Sequence, residues 1–111
     1  MPASPAPSGA LVVLITCPDA SVGETLARAL VEEGLAACVN LVPGLTSLYR
    51  WKGKLCRDSE ILLVVKTRRR KLAALRRRVQ ALHPYTVPEI VALPIVAGSP
   101  AYLKWLRDMT P

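Results

Sequence analysis

The chain has 111 residues and carries 15 Lys or Arg against 8 Asp or Glu, a formal net charge of +7. This length indicates one domain, and a hydrophobic content of 51% excludes a chain that stays disordered because of its composition. The longest uncharged stretches, residues 34–49 and 90–103, are too short for a membrane span and contain Pro, Gly, Asn or Ser, so we expect no membrane contact.

The N-terminal nine residues are rich in Pro, Ser and Ala and lack the basic start of a secretory signal. We expect a flexible leader over residues 1–9 and a single domain over residues 10–111. Cys17, Cys38 and Cys56 form an odd number of thiols without C-x-x-C spacing. This pattern is typical of free thiols in a reducing compartment, and it predicts a cytoplasmic location.

The first half of the domain begins with a strand, a helix and a second strand. Residues 11–15 form a continuous apolar run, which predicts a buried strand. A helix is predicted over about residues 22–33, with Ser21 and Glu24 as a capping box at its start. Residues 37–42 then alternate with period two, which predicts the second strand.

A long β-hairpin is predicted to follow. Pro43-Gly44 interrupts the second strand as a bulge or bend, and the strand then resumes to Trp51. After a turn at Lys52-Gly53, a return strand runs over about residues 54–67. An arm of about 14 residues reaches roughly 45 Å, longer than a domain of this size needs. The aromatic tip, with Tyr49 and Trp51, therefore predicts packing against another chain.

The second half repeats the helix–strand order. A helix is predicted from about Arg69 to Leu82, followed by a loop over residues 83–88. A last strand over residues 89–95 and a short helix over about residues 100–107 close the chain. The order β-α-β-β-α-β plus a terminal helix predicts an α+β, ferredoxin-like fold, in which both main helices cover one face of an antiparallel sheet.

Several segments resemble the sequence signatures of the CutA divalent-cation-tolerance family. They are Ala36–Pro43 followed by Ser47–Gly53, the return-strand segment Glu60–Thr67, the loop HPYTVPEI at residues 83–90, and YLKWL at residues 102–106. The likeness covers about residues 11–107. It implies a PII-like homotrimer that pairs strands across subunits and binds ligands in the clefts between them. It also implies a role in tolerance of divalent cations, a link to copper or other divalent metals, and no enzymatic reaction.

The first candidate site is a metal site. A divalent metal such as Cu or Zn needs converging donors, and softer metals favour thiolate and imidazole. The candidate ligands are Cys17 after the first strand, Cys38 on the second strand, and His83 and Glu89 around the loop. In the alternative interpretation, the cysteines are small buried hydrophobic residues and His83 closes the second helix by contact with its last carbonyls.

The second candidate site is an intersubunit cleft for a small anion or metabolite, as in a PII-like signalling or scaffold trimer. A Lys at the end of an apolar strand is costly to bury alone, and Glu89 would be the partner of Lys66 if their strands were adjacent. Alternatively, Lys66 and Glu89 form a structural pair that stabilises the trimer. The predicted lining residues are Lys66, Tyr85, Glu89, Tyr102 and Trp105, with Asn40 and Thr67 as polar neighbours.

A run of basic residues dominates the charge. Seven lie in residues 68–71 and 76–78, and the rest of the chain holds eight basic and eight acidic residues. The apolar face of the helix leaves them outward, as in a solvated helix, so we expect weak electrostatic contact with nucleic acid and no specific recognition. No enzyme is expected, because the chain has one His and no Gly-rich phosphate loop or nucleophile–base spacing.

Overall fold

The computed structural model of the protein describes residues 9–111, so the predicted leader lies outside the described residues except for Gly9. Four strands form one antiparallel sheet in the order β2-β3-β1-β4, which confirms the predicted α+β, ferredoxin-like fold. Within the described part, no helix is long and apolar enough to cross a membrane. The elements are β1 (Ala10–Cys17), α1 (Ala20–Glu32), β2 (Cys38–Trp51), β3 (Lys54–Arg68), α2 (Leu72–Leu82), β4 (Ile90–Pro94) and α3 (Pro100–Asp108).

The core lies on one face of the sheet, beneath α1 and α2. Because side chains alternate along a strand, Val13 and Ile15 of β1 point to the same face, and both are fully buried. They pack with Leu30 of α1, Leu75 of α2 and Leu63 of β3. Burying each such side chain stabilises the fold by about 1.5–3 kcal/mol relative to its exposure. This packing holds the sheet and both helices in fixed positions.

The opposite face of the sheet has less cover within one chain. Val42 of β2 and Val91 and Leu93 of β4 are 42%, 45% and 50% exposed. The short helix α3 packs at one end of the sheet, where Leu106 contacts Ala10 and its neighbours. An apolar sheet face of this kind is typical of a surface that contacts another chain.

The β2–β3 hairpin follows the prediction, with one refinement. The pairing continues from Cys38–Lys66 to Trp51–Lys54, and a bulge between Val42 and Leu45 accommodates Pro43-Gly44 within a single strand. Lys52 and Gly53 adopt φ angles of 50° and 76°, as the tight turn of a hairpin requires.

The start of α1 differs from the prediction. Asp19 is the N-cap residue, and its carboxylate accepts a hydrogen bond from the Val22 amide at 2.9 Å. Ser21 lies inside the first turn, where its carbonyl accepts a hydrogen bond from Thr25. The predicted capping box of Ser21 and Glu24 is therefore wrong, because Asp19 starts the helix two residues earlier.

The start of α2 also differs. Residues 69–71 form one 3-10 turn, and the α-helix begins at Leu72 rather than Arg69. Neither Arg68 nor Lys71 makes a side-chain capping bond. A run of cations at the positive end of a helix dipole, without a cap, disfavours an earlier α-helical start.

Candidate functional site

The predicted site residues separate into two groups at opposite ends of β1. Cys38 and Lys66 align with Val12, whereas Cys17 ends the strand opposite Ile61. Five residues of strand correspond to about 17 Å. The first group holds Cys38, Asn40, Lys66, Thr67, Tyr102 and Trp105, and the second holds Cys17, His83, Tyr85 and Glu89.

The first group is a polar and aromatic cluster at the α3 end of the sheet. The Nζ of Lys66 donates to Oδ1 of Asn40 and lies 3.9 Å from Sγ of Cys38. Burial, and after it the neighbouring Cys38, raise the pKa of Tyr102, whose ring centroid lies 5.5 Å from that of Trp105. The sheet and α3 thus bring these five predicted residues together.

Thr67 and Lys66 each bond to a partner other than the expected one. Thr67 points into the core and donates to the Leu35 carbonyl at 2.7 Å, so it ties β3 to the segment after α1. Lys66 lies on β3, and Glu89 directly precedes β4. These two strands are not adjacent, because β1 lies between them. The condition for a Lys66–Glu89 pair within one chain is not met, and Lys66 bonds to Asn40 instead.

Both ring nitrogens of His83 make hydrogen bonds within the chain. Its side chain is buried, Nε2 lies 2.8 Å from the Thr16 carbonyl oxygen, and Nδ1 accepts from the Tyr85 amide at 3.1 Å. Since the carbonyl needs a donor and the amide needs an acceptor, this arrangement places the proton on Nε2. Neither nitrogen then has a lone pair left for a metal, and His83 fixes the start of the loop.

Cys17 is fully buried in the hydrophobic core. Burial, with smaller contributions from Glu60 and Asp19, raises the pKa of the Cys17 thiol from its ordinary 9.0 to about 11. Metals bind the thiolate rather than the thiol. Across residues 9–111, no group of three or more His, Cys, Asp or Glu could hold a metal ion. Within one chain, the predicted soft donors therefore do not fit a copper-type site.

A cavity of about 780 Å³ lies between the hairpin and the loop that follows α2. This volume falls in the range of small-molecule sites, about 300–1,000 Å³. Its wall includes the aromatic rings of Tyr49, Trp51 and Tyr85 and the carboxylates of Glu60 and Glu89. None of the described residues that line it is Lys, Arg or His. In a chain of net charge +7, this is a local acidic site.

Glu60 is the buried carboxylate of the cavity, whereas Glu89 is exposed. Glu60 is 8% exposed, and its Oε2 accepts from the Tyr85 hydroxyl at 2.8 Å. Burial and this hydrogen bond raise the pKa of Tyr85, which stays a donor. Among the described residues, Glu60 has no ion-pair partner within 4.0 Å. A carboxylate can accept about four hydrogen bonds, so its buried charge is incompletely compensated.

A second hydrogen bond between a tyrosine and a carboxylate lies on the hairpin near the cavity. The Tyr49 hydroxyl donates to Oδ2 of Asp58, and this bond raises the pKa of Tyr49 to about 12. The hydroxyls of Tyr49 and Tyr85 are thus both donors to carboxylates. These bonds hold two aromatic rings of the cavity wall in place.

Glu60 is a site residue that the sequence patterns did not reveal. A signal was present, because Glu60 directly precedes the apolar run of residues 61–65 on a strand whose inner face is buried. A carboxylate at the entrance of a buried strand needs a partner. The partner proved to be Tyr85, 25 residues away, and sequence spacing does not reveal that contact.

The chain is similar to known proteins over a range that includes both groups of residues and the cavity lining. A family model described as CutA1 divalent ion tolerance protein matches residues 11–109. The divalent-cation tolerance protein CutA of Thermus thermophilus is 63% identical over 99 residues, which are 89% of this chain and 96% of the relative. A solved structure of the divalent cation tolerance protein Cut A1 from the same species gives a TM-score of 0.90 at 61% identity, over 92% of this chain and 99% of that chain. The structure of the periplasmic divalent cation tolerance protein CutA from Archaeoglobus fulgidus gives 0.89 at 38% identity, over 92% and 99%.

Proposed function

The chain belongs to the CutA1 divalent ion tolerance family, and from this premise we propose that it binds a divalent cation in the cavity between the hairpin and the 83–90 loop, in support of metal ion homeostasis. One observation carries the proposal. Glu60 is a buried carboxylate with one protein hydrogen bond, on the wall of a cavity whose described lining includes Glu89 and no cationic side chain. A cation there would compensate a charge that the chain itself leaves incompletely paired.

The donor set favours hard cations. Carboxylate and hydroxyl oxygens suit Mg²⁺, Ca²⁺ and Mn²⁺, whereas thiolate and imidazole suit softer metals. Glu60 and Glu89 supply two carboxylates at the cavity, and water would complete the coordination of such an ion. A copper or zinc site built from His83 and Cys17 would instead require His83 to leave the Thr16 carbonyl and a buried thiol to ionise.

The proposed assembly is a homotrimer with strands paired across subunits. The sheet ends in two edge strands, β2 and β4, and the exposed apolar side chains of Leu48, Leu55 and Leu93 need a partner surface. In this assembly we propose that the group of Lys66, Asn40, Cys38, Tyr102 and Trp105 lies in the cleft between subunits. Light scattering should then give three times 12.0 kDa, about 36 kDa; a mass of 12.0 kDa would contradict the assembly.

A metal titration against a competing chelator tests the proposed site. We expect Mn²⁺ to bind, and Glu60→Gln or Glu89→Gln to weaken binding by at least about tenfold, or 1.4 kcal/mol. Glu24→Gln is the matched control, because Glu24 is exposed on α1 beside Arg28. The contrary result is tight Cu²⁺ or Zn²⁺ binding that is lost in His83→Ala, Cys17→Ala or Cys38→Ala and kept in Glu60→Gln.

A second candidate function is that of a PII-like signalling or scaffold trimer that binds a metabolite or a partner protein. The volume of about 780 Å³ and the three aromatic rings on the wall favour a small ligand. In both candidates the chain acts by binding rather than catalysis. Its three free cysteines are consistent with a cytoplasmic location, which we propose although relatives are described from other compartments.

A further inference from the structure

A group of exposed arginines on the second helix points to an interaction that the cation site does not use. We propose that this surface binds the phosphate backbone of a nucleic acid duplex without reading its sequence. The surface, called the arginine face below, consists of four exposed side chains on the 3-10 turn and on α2: Arg69, Arg70, Arg76 and Arg77. The inference does not depend on the cavity or its carboxylates. It goes beyond a general attraction by net charge, because it states which arginines make the contact.

The spacing of the arginines is the first argument. Seven residues make almost two helical turns at about 3.6 residues per turn, so Arg76 lies in line with Arg69, and Arg77 with Arg70. The two pairs are roughly 11 Å apart along the helix axis. Phosphates of one duplex strand repeat every ~3.4 Å along the duplex axis, so phosphates three steps apart have nearly the same spacing. A planar guanidinium group also matches two phosphate oxygens at once.

The lack of nearby negative charge is the second argument. Residues 61–88 contain no Asp or Glu. In the described part of the chain, none of the four side chains of the arginine face forms a salt bridge. The arginines on either side do have partners, since Arg78 pairs with Glu33 and Arg68 donates to Thr110. The chain thus binds the flanking arginines itself and leaves the arginine face available to another molecule.

The position of the arginine face is the third argument. The helices α1 and α2 cover one face of the sheet, and their apolar side chains form the core with β1 and β3. The proposed trimer uses other surfaces, which are the edge strands, the hairpin and the open face of the sheet. An assembly through those surfaces leaves the outer side of α2 in solvent. It would present three arginine faces, so a long duplex that contacts two of them would bind more tightly than a short one.

The remaining side chains of α2 favour a nucleic acid over an anionic membrane. A helix that lies on a membrane buries bulky apolar side chains among the lipids. In α2 such side chains are occupied in the core, where Leu75 and Val79 are fully buried. The exposed residues beside the arginines include Ala73 and Gln80, which are small or polar. The arginine face therefore offers charge for a phosphate backbone and no apolar anchor for a bilayer.

Fluorescence anisotropy of the full chain with a short labelled DNA duplex tests the inference, over about 50–200 mM salt. The logarithm of the association constant should fall with the logarithm of the salt concentration, with a slope of about −3.6 for four phosphate contacts at about −0.9 each. Arg76→Gln with Arg77→Gln should make the slope shallower by about 1.8, and so should Arg69→Gln with Arg70→Gln.

The matched control is Arg28→Gln with Lys104→Gln. It removes the same amount of charge from exposed side chains of α1 and α3 and should leave the slope unchanged. Equal slopes for the control and both arginine-face variants would show that net charge alone drives binding, and would overturn the inference.

Two further results would overturn it. One is the absence of duplex binding at about 50 mM salt. The other is binding to vesicles of phosphatidylcholine and phosphatidylserine without binding to the duplex, which would identify a membrane contact instead. Two duplexes of unrelated sequence should bind equally, because phosphate contacts carry no sequence information; a strong preference for one of them would contradict a backbone contact.

Discussion

The acidic cavity and the basic surface, residues 68–71 and 76–78, are two charged regions of the molecule that differ in burial. The basic surface holds seven cations, and among the described residues one of them, Arg78, forms an ion pair, with Glu33 at 2.9 Å. The cavity holds two carboxylates, but Glu60 is almost fully buried. Exposed charges are solvated by water and screened within about 8 Å by physiological salt. A buried charge is not solvated or screened in this way and needs a partner. The cavity with two carboxylates is therefore better evidence of a binding site than the surface with seven cations.

Burial of Cys17, with a smaller contribution from Glu60, gives the largest expected effect. A pKa of about 11 rather than 9.0 leaves about 100-fold less thiolate at mildly alkaline pH. Iodoacetamide should therefore modify Cys17 at least about 100-fold more slowly than an ordinary exposed thiol, as measured by peptide mapping under native conditions. Alkylation of Cys17 as fast as that of the partly exposed Cys56 would show that the core around Cys17 opens to solvent.

Tyr85→Phe is expected to have the next largest effect, because it removes the hydroxyl that donates to the buried Glu60. Leaving this carboxylate without its hydrogen bond should lower the free energy of unfolding by about 1–3 kcal/mol. Urea denaturation measures the change, and Tyr102→Phe is the matched control on the 40% exposed Tyr102. Equal stability of the two variants would mean that Glu60 is compensated by another group.

Arg78→Gln probes the ion pair that links the basic surface to α1. Both side chains are partly exposed, at 40% and 42%, and Nε and one terminal nitrogen of Arg78 contact the Glu33 carboxylate at 2.9–3.0 Å. We expect a loss of about 0.2–1 kcal/mol, which high salt should reduce. A decrease in the free energy of unfolding of more than about 2 kcal/mol would show that this ion pair stabilises the fold as strongly as a buried contact does.

The double variant Arg76→Gln and Arg77→Gln should have the smallest effect. Both side chains are exposed, and in the described part of the chain neither makes a salt bridge. The free energy of unfolding should change by less than about 0.5 kcal/mol. Retention on a heparin column should fall, because that contact depends on charge alone. A marked loss of stability would contradict the solvated-helix interpretation.

The sequence predicted features that depend on local patterns. The apolar run of β1, the turn at Lys52-Gly53 and the order of elements determine the fold, and the structure confirms them. The helix starts were less accurate, because Asp19 and Ser21 are both good N-caps two residues apart and packing decides between them.

The cavity could not be predicted in the same way. Its central contact joins Glu60 on β3 to Tyr85 in a loop, and it forms because His83 binds the Thr16 carbonyl and fixes that loop against β1. Such contacts depend on the packing of distant segments. The run of arginines, by contrast, is obvious in the sequence, and in the structure it is partly solvated: Arg76 and Arg77 are exposed, whereas Arg68 donates to Thr110 and Arg78 pairs with Glu33. The two regions differ in how far their charges are buried, and this cannot be read from the amino-acid composition.

The most direct test is a comparison of Mn²⁺ affinity among the wild-type chain, Glu60→Gln and the Arg76→Gln and Arg77→Gln double variant, at physiological salt. We predict that Glu60→Gln weakens binding at least about tenfold and that the double variant leaves it unchanged, because the buried carboxylate binds the cation directly, whereas the exposed arginines are solvated and screened by salt. Equal affinity of the wild type and Glu60→Gln would contradict a cation site in the cavity.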